Sequence, residues 1–390
     1  MKLLWVKADF LHPTDRGGQI RTLEMLKRLH ARHEIHYVAL HRGDPTRSSE
    51  YCSHAYPIEH HVPAKNSAAF AGQLLKGLVS PLPVAVSRYQ SDPMKRKIES
   101  LSRQEKFDHI VCDFLFPAPN IPELESSVLF QHNVEAVIWK RHVENAPTLA
   151  HRGYFQMQAR RMAAFEGDVC RAVKSVVAVS EIDADRMRKD YRPRRVDAIP
   201  TGVDLDYFTP PSATPRSSDL VFIGSMDWMP NIDGAEWFVR DVLPLIRKRK
   251  PDCSVVFAGR KPSRAILDLA ARDSRIQVTG TVPDVRPYLW GATVSIVPLR
   301  IGGGTRLKIF ESMAAGVPVV STTIGAEGLP VQPGIEILLG DDPAAFAEGC
   351  LKLMEDPPAR KRMAEAARDA VSSRFSWEAV SIEFERLLLS

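Results

Sequence analysis

The chain has 390 residues, 44% apolar and 25% charged, so it is globular and, at about 100–200 residues per domain, long enough for two or three domains. Its net charge is only +5 and it has no Lys/Arg run or aromatic-spaced basic stripe, which argues against a nucleic-acid partner. Five scattered cysteines with no C-x-x-C pair argue against a disulfide scaffold or zinc knuckle, and Lys7 and Asp9 break the apolar N-terminus that an export signal needs, so a cytoplasmic protein is expected.

Short β-branched runs alternate with longer helical patterns throughout, the α/β signature of mostly parallel, doubly wound sheets. Strands are predicted at 3–8, 34–40, 109–113, 128–132, 175–179 and 195–199, with helices at 19–31, 91–104, 134–144, 153–172 and 181–189. A Pro/Ser/Thr-rich stretch from Thr209 to Ser218 reads as a linker. The rhythm then restarts, with strands at 219–223, 254–258, 276–279, 293–297, 317–321 and 335–339. Helices follow at 232–250, 262–272, 284–291, 305–315, 343–355 and 358–372, and a last one at 376–389 has no strand after it.

After the first strand the chain reads Asp15-Arg16-Gly17-Gly18-Gln19 rather than G-x-G-x-x-G, which argues against a dinucleotide cofactor. Gly17 and Gly18 are either a tight turn or a place where backbone N–H groups approach an anion. The most chemically loaded segment is Pro298 to Val320. A buried strand runs into Gly302-Gly303-Gly304, Thr305 can cap a helix, and Leu307, Phe310 and Ala314 form that helix's apolar face. Arg306 and Lys308 in the first turn oppose the helix macrodipole, at about 0.3–1 kcal/mol each. A bound phosphate reverses that penalty, because glycine N–H groups, dipole and both cations converge on it. Glu311 shares a face with Lys308, where its carboxylate can accept both hydroxyls of a ribose; the alternative is a surface ion pair worth little.

All 12 histidines lie at or before His151, so imidazole chemistry belongs to the first half. His132 ends a predicted strand, on the crevice side of an open α/β sheet, beside Asn133 and Glu135. Glu135 either orients His132 or is simply the first-turn acid of the next helix. His30, His33 and His36 straddle a helix end and a strand, and His60 and His61 point to opposite faces if extended, so no metal site is expected.

Together with Ile199-Pro200-Thr201-Gly202-Val203-Asp204, the turn Val278 to Val285 and Glu311-Ser312-Met313-Ala314-Ala315-Gly316-Val317-Pro318, these segments resemble the GT-B glycosyltransferases of family 4. The Gly-Gly-Gly-Thr-Arg-Leu-Lys run, Gly224 to Asn231 and Gln131-His132-Asn133-Val134-Glu135 are most similar to bacterial sugar transferases of exopolysaccharide and PEP-CTERM loci. The resemblance implies two Rossmann-like domains, 1–205 on the acceptor side and 206–373 on the donor side, with a terminal helix, 374–390, crossing back to the first. It implies retaining, metal-independent transfer of a hexose-type sugar from a nucleotide-diphosphate sugar, UDP-linked by preference, to a hydroxyl acceptor, with no cofactor.

By matching position, Glu311 takes the ribose and His132 the transferred sugar, while the family's other Glu, eight residues before Glu311, is replaced by Gly303. The Arg and Lys that usually follow the first strand of the second domain are absent from Gly224-Ser225-Met226-Asp227-Trp228, so the phosphate role passes to Arg306 and Lys308. Gly224, Ser225, Gly303, Gly304 and Thr305 complete the donor side. Val282, in Thr281-Val282-Pro283, either meets the nucleobase or belongs to an ordinary loop. Residues 1–200 carry 30 Lys+Arg against 23 Asp+Glu, an excess of +7 that fits a phosphorylated donor and a membrane surface bearing a lipid-linked acceptor. Stretches 66–82 and 83–97, with Leu74, Leu75, Leu78 and Lys95, Arg96, Lys97, are read as core packing plus a solvated charge run, lipid docking being the alternative. Two other functions compatible with the donor site are a nucleotide-sugar epimerase or hydrolase and a non-catalytic nucleotide-sugar binder.

Overall fold

The computed structural model describes residues 1–14, 17–60, 80–144, 146, 148–211, 214–301 and 307–390. They form two compact units, Met1–Pro200 with Val380–Ser390, and Thr201–Ala379. The first division falls between Pro200 and Thr201, where the sequence suggested 205, and the second between Ala379 and Val380, where it suggested 373.

The first unit is a seven-stranded parallel sheet: β1 (Lys2–Lys7), β2 (Glu34–Leu40), β3 (His54–Ile58), β4 (His109–Asp113), β5 (Ser127–Gln131), β6 (Ser175–Ala178) and β7 (Val196–Ala198), in the order β3-β2-β1-β4-β5-β6-β7. Its main helices are α1 (Gly17–His30), α2 (Asp92–Gln104), α3 (Glu135–Glu144), α4 (Leu149–Ala172) and α5 (Glu181–Asp190). The second unit has six parallel strands: β8 (Ser218–Ile223), β9 (Val255–Ala258), β10 (Ile276–Val278), β11 (Ala292–Val297), β12 (Val319–Ser321) and β13 (Leu338–Leu339), ordered β10-β9-β8-β11-β12-β13. It carries α6 (Met229–Trp237), α7 (Leu243–Arg249), α8 (Arg264–Arg272), α9 (Arg286–Trp290), α10 (Leu307–Ala314), α11 (Pro343–Glu355) and α12 (Pro357–Arg374), with α13 (Trp377–Leu389) closing the chain. Strand order reverses between β1 and β4 in one sheet and between β8 and β11 in the other. Such switch points open a crevice at the strands' carboxyl ends.

The local causes are plain in the sequence. Strands such as Val255-Val256-Phe257-Ala258 are buried along their whole length, as parallel sheets covered by helices require. Ser91, Thr148, Ser180, Ser263, Asp342 and Asp356 each accept a hydrogen bond from the backbone N–H three residues on, which starts their helices. Predicted helix 232–250 is instead broken. Pro244 has no N–H to give, and a π turn at Phe238–Val242 absorbs the missing bond between α6 and α7. β3 was not predicted at all, since His-Ala-Tyr-Pro-Ile contains a proline that only an edge strand accepts.

In α2, Met94, Ile98 and Leu101 pack inward while Lys95 and Arg96 face solvent, as the core-packing reading expects. Residues 66–79 of the other stretch lie outside the described residues. Within the first unit, Phe384 of α13 packs on Trp5 and Phe130 at ring separations of 5.7 and 5.2 Å, and Arg32 Nε donates to Glu385 Oε2 at 3.0 Å. Within the second, Trp377 lies so close to Gly202 that a Cβ there would stand 2.4 Å from the indole, so only glycine fits. Among the described residues no helix is long and apolar enough to cross a membrane.

Candidate functional site

At the first switch point three strands and a helix deliver polar side chains into a buried cluster. β1 supplies Trp5 and Lys7, β4 ends on Asp113, β5 leads into His132, and α1 supplies Gly18, Arg21 and Thr22. Asp113 Oδ1 accepts from Lys7 Nζ at 2.7 Å and His132 Nε2 at 2.8 Å; its Oδ2 accepts from Trp5 Nε1 at 2.8 Å and Thr22 Oγ1 at 2.7 Å. Four donors fill the four lone-pair sites of a fully buried carboxylate. Burial alone would raise its pKa, but Lys7 and His132 outweigh it and hold Asp113 well below the usual carboxylate range.

His132 is 3% exposed. Burial pushes its pKa down to about 4 against the pull of Asp113, so the imidazole is neutral at physiological pH. An ionised acceptor at Nε2 fixes the proton there and leaves Nδ1 as the acceptor, 3.3 Å from Arg21 Nη1. A Cβ at Gly18 would lie 3.4 Å from Nδ1, an ordinary van der Waals separation, so α1 passes beside the imidazole. Gly17, by contrast, has nothing within 4 Å of such a Cβ. Phe114 stacks on His132 at 4.8 Å from a left-handed backbone conformation, φ 77°, that a bulky residue seldom adopts.

Glu135 is not the residue that holds His132; Asp113 is. The other carboxylate nearby is Glu166 of α4, which accepts from Gln131 Nε2 at 2.8 Å, the Glu135 N–H at 2.8 Å, the Ala136 N–H at 3.0 Å and Tyr191 OH at 2.8 Å. Glu166 thereby caps α3 from a distant helix. Burial, and then repulsion from Glu166, push Glu135 up to about 7, opposed by a hydrogen bond with Asn133.

At the second switch point the groups are fewer and more accessible. Lys308 Nζ donates to Asn231 Oδ1 at 2.8 Å and lies 4.5 Å from the centroid of the Phe222 ring. Asn231 Nδ2 donates to the Ser225 carbonyl at 2.8 Å. Glycine at 224 makes room: a Cβ there would stand 2.6 Å from Asn231 Nδ2 and 2.9 Å from Lys308 Nζ. Ser225 Oγ donates to Asp227 Oδ1 at 2.7 Å and accepts from Arg260 Nε at 3.0 Å. Lys261, at φ 49°, follows Arg260 on the same loop. Glu311 is partly buried; desolvation raises its pKa and Lys308 pulls it down. Val282 lies, partly buried, in the loop after β10.

The structure thus gathers His132 and Gly18 at one switch point, and Gly224, Ser225 and Lys308 at the other, with Glu311 on α10 beside Lys308. Gly303, Gly304, Thr305 and Arg306 lie outside the described residues. Sequence reasoning missed Lys7, Asp113, Arg21 and Thr22 on one side and Arg260, Lys261 and Asn231 on the other. The available signal was a charge closing an apolar strand, as in Leu3-Leu4-Trp5-Val6-Lys7 and Ile110-Val111-Cys112-Asp113. His30, His33 and His36 do not converge: His30 Nδ1 faces Ser53 Oγ at 3.4 Å and His33 Nε2 faces Glu385 Oε1 at 3.1 Å.

Comparison with known proteins bears on both units. Residues 16–207 match the family described as Glycosyltransferase Family 4, and residues 217–356 match the Glycosyl transferases group 1 family. An uncharacterized 44.6 kDa protein in the cps region of Klebsiella pneumoniae is 18% identical over 381 residues, 93% of each chain. Among solved structures, the sucrose-phosphate synthase of Thermosynechococcus elongatus superposes with a TM-score of 0.69 at 17% identity, covering 99% of this chain and 98% of that one. Anabaena Alr3699/HepE, solved with UDP and glucose, gives 0.65 at 12% identity over the whole of both chains.

Proposed function

We propose that this chain, which belongs to the group 1, family 4 glycosyltransferases and so works on a nucleotide-sugar donor, is a retaining enzyme that moves a hexose from a UDP-sugar to a hydroxyl acceptor. Polysaccharide or glycoconjugate synthesis is the setting we assign, supported by the cps-region relative and by the UDP and glucose bound in the HepE structure. The observation that carries the reading is Lys308: an ammonium held by Asn231 beside Gly224, at the switch point where α/β sheets receive anions.

In this mechanism the bond from the anomeric carbon to the diphosphate breaks, the acceptor oxygen bonds to that carbon on the same face, and the acceptor's proton passes to the departing phosphate oxygen. Lys308 and the N-terminal end of α10 stabilise the negative charge that grows on the leaving group, an interaction stronger in the transition state than before it. Glu311 takes the ribose hydroxyls. His132, neutral and fixed by Asp113, presents a preorganised imidazole to the sugar, and Glu135, poised near neutrality, is the nearby carboxyl able to exchange a proton at working pH. No metal or cofactor enters these steps. The acceptor is assigned as a glycan or lipid-linked hydroxyl met at the cytoplasmic membrane surface, supported by the +7 excess of residues 1–200.

A thermal-shift screen of UDP-, GDP- and dTDP-sugars tests the donor, since a ligand present at 100 times its Kd adds about 2.7 kcal/mol to the native state. Stabilisation by UDP-sugars above the others is expected; stabilisation by GDP- or dTDP-sugars alone contradicts the assignment. NMR of the transferred sugar reads the anomer, and an inverted product contradicts retention.

A further inference from the structure

β2 and β3 pair in parallel with His36 directly opposite His54, and the two rings lie 4.5 Å apart. Glu34, two residues before His36 and so on the same face of β2, places Oε1 3.0 Å from His36 Nε2 and 3.7 Å from His54 Nε2. One ligand atom from each of the three lies within 4.8 Å of the other two. Glu34 and His54 begin their strands whereas Lys7 and Asp113 end theirs, so in a parallel sheet this cluster sits at the opposite edge from His132.

Surrounding groups hold the cluster as the outer sphere of a metal site would. His36 is buried; its second nitrogen, Nδ1, lies 3.1 Å from the Tyr56 hydroxyl and its ring meets Phe107 edge-on at 5.0 Å. Fixing the free nitrogen of a ligating histidine in this way sets its tautomer and direction. Glu105 Oε2, 3.4 Å from His36 Nε2, offers a further oxygen. Lys2 Nζ meanwhile bridges Glu105 Oε2 at 2.7 Å and Glu34 Oε1 at 3.2 Å, so a cation already favours this place, and Lys97 Nζ lies 4.3 Å from the centroid of the Tyr56 ring. His54 is half exposed, free to rotate by the fraction of an ångström to an ångström that bonds of about 2.0–2.1 Å demand.

We propose that Glu34, His36 and His54 bind a divalent transition-metal ion of the zinc type, which clips the edge strand β3 to β2 at a site separate from the donor site. Two imidazoles and a carboxylate suit zinc, cobalt or nickel and exclude magnesium or calcium, which demand oxygen ligands. Lys2 competes for Glu34, and the ion displaces it onto Glu105 alone. The full-length protein, freed of metal with a chelator, is titrated with Co2+ by visible absorption and with Zn2+ by calorimetry, alongside His54→Ala, Tyr56→Phe and Lys2→Ala.

The expected result is one ion per chain and a rise in Tm with Zn2+. Affinity falls about tenfold in Tyr56→Phe and by more than about 100-fold in His54→Ala, the outer partner costing less than a ligand. Lys2→Ala binds more tightly than wild type, a gain that a merely structural ion-pair cluster would not give. Equal affinity in wild type and His54→Ala, or weaker binding in Lys2→Ala, overturns the proposal.

Discussion

The two sheets share one winding rule and reverse their strand order at the same relative place, yet the two switch points are built in opposite ways. The first is crowded: the buried Asp113 uses every lone pair on Lys7, His132, Trp5 and Thr22. The second is open, with a partly buried lysine against a glycine and exposed cations, Arg260 and Lys261, on the neighbouring loop. A pre-paid network holds one neutral imidazole rigid. An under-filled one leaves work for an anion to do.

Substitutions can break that contrast, and the largest effect belongs to the crowded side. Asp113→Asn keeps the shape but leaves Lys7 buried without its counter-charge, and should cost about 3–5 kcal/mol in denaturant unfolding. A loss under about 1 kcal/mol would mean that the network is not what holds the first switch point. On the open side, Lys308→Ala should leave Tm nearly unchanged while lowering kcat about 10²–10³-fold, the cost of one preorganised charge-stabilising group. Loss of fold with it, or unchanged turnover, would erase the contrast.

Glu135 and His132 give a pH signature of opposite signs within the first unit. Glu135 titrates near 7 when folded against 4.5 in the open chain, so its ionisation destabilises the fold progressively as pH rises from 4.5 through 7. Glu135→Gln removes that burden and should gain on wild type by about 3 kcal/mol above pH 7 and by little below 4.5. His132 titrates near 4 against 6.5, so its contribution is complete above pH 6.5 and fades as pH falls towards 4. Parallel stability curves for wild type and Glu135→Gln would contradict the burial of that carboxyl. The smallest effect is expected from Gly18→Ala, whose methyl would stand at an ordinary 3.4 Å from His132 Nδ1 within α1, so denaturant unfolding should shift by less than about 1 kcal/mol; a larger loss would mean that the imidazole sits closer to α1 than this.

Most of the fold was legible because parallel α/β units announce themselves through buried β-branched runs and Ser, Thr or Asp caps. What stayed hidden depended on partners distant in sequence. β3 looked like loop because its proline reads as a breaker until one knows that it lies on an edge. His132 was visible from its strand-end position, but its anchor Asp113 was not, since Glu135 stood nearer in sequence and only the β4–β5 pairing brings Asp113 across. Likewise Arg260 reaches Ser225 through the β8–β9 register, so the absence of a cation after β8 was less telling than it looked. His36 was weighed with its helical neighbours, whereas its partner came from the strand that had been missed.

The central claim is a division of labour, the second unit gripping the donor and the first holding the imidazole, and it is tested most directly by calorimetric titration of UDP into wild type, Lys308→Ala and His132→Ala. Loss of UDP binding in Lys308→Ala with near wild-type affinity in His132→Ala is the predicted outcome. Full UDP affinity in Lys308→Ala, or its loss in His132→Ala alone, would contradict it.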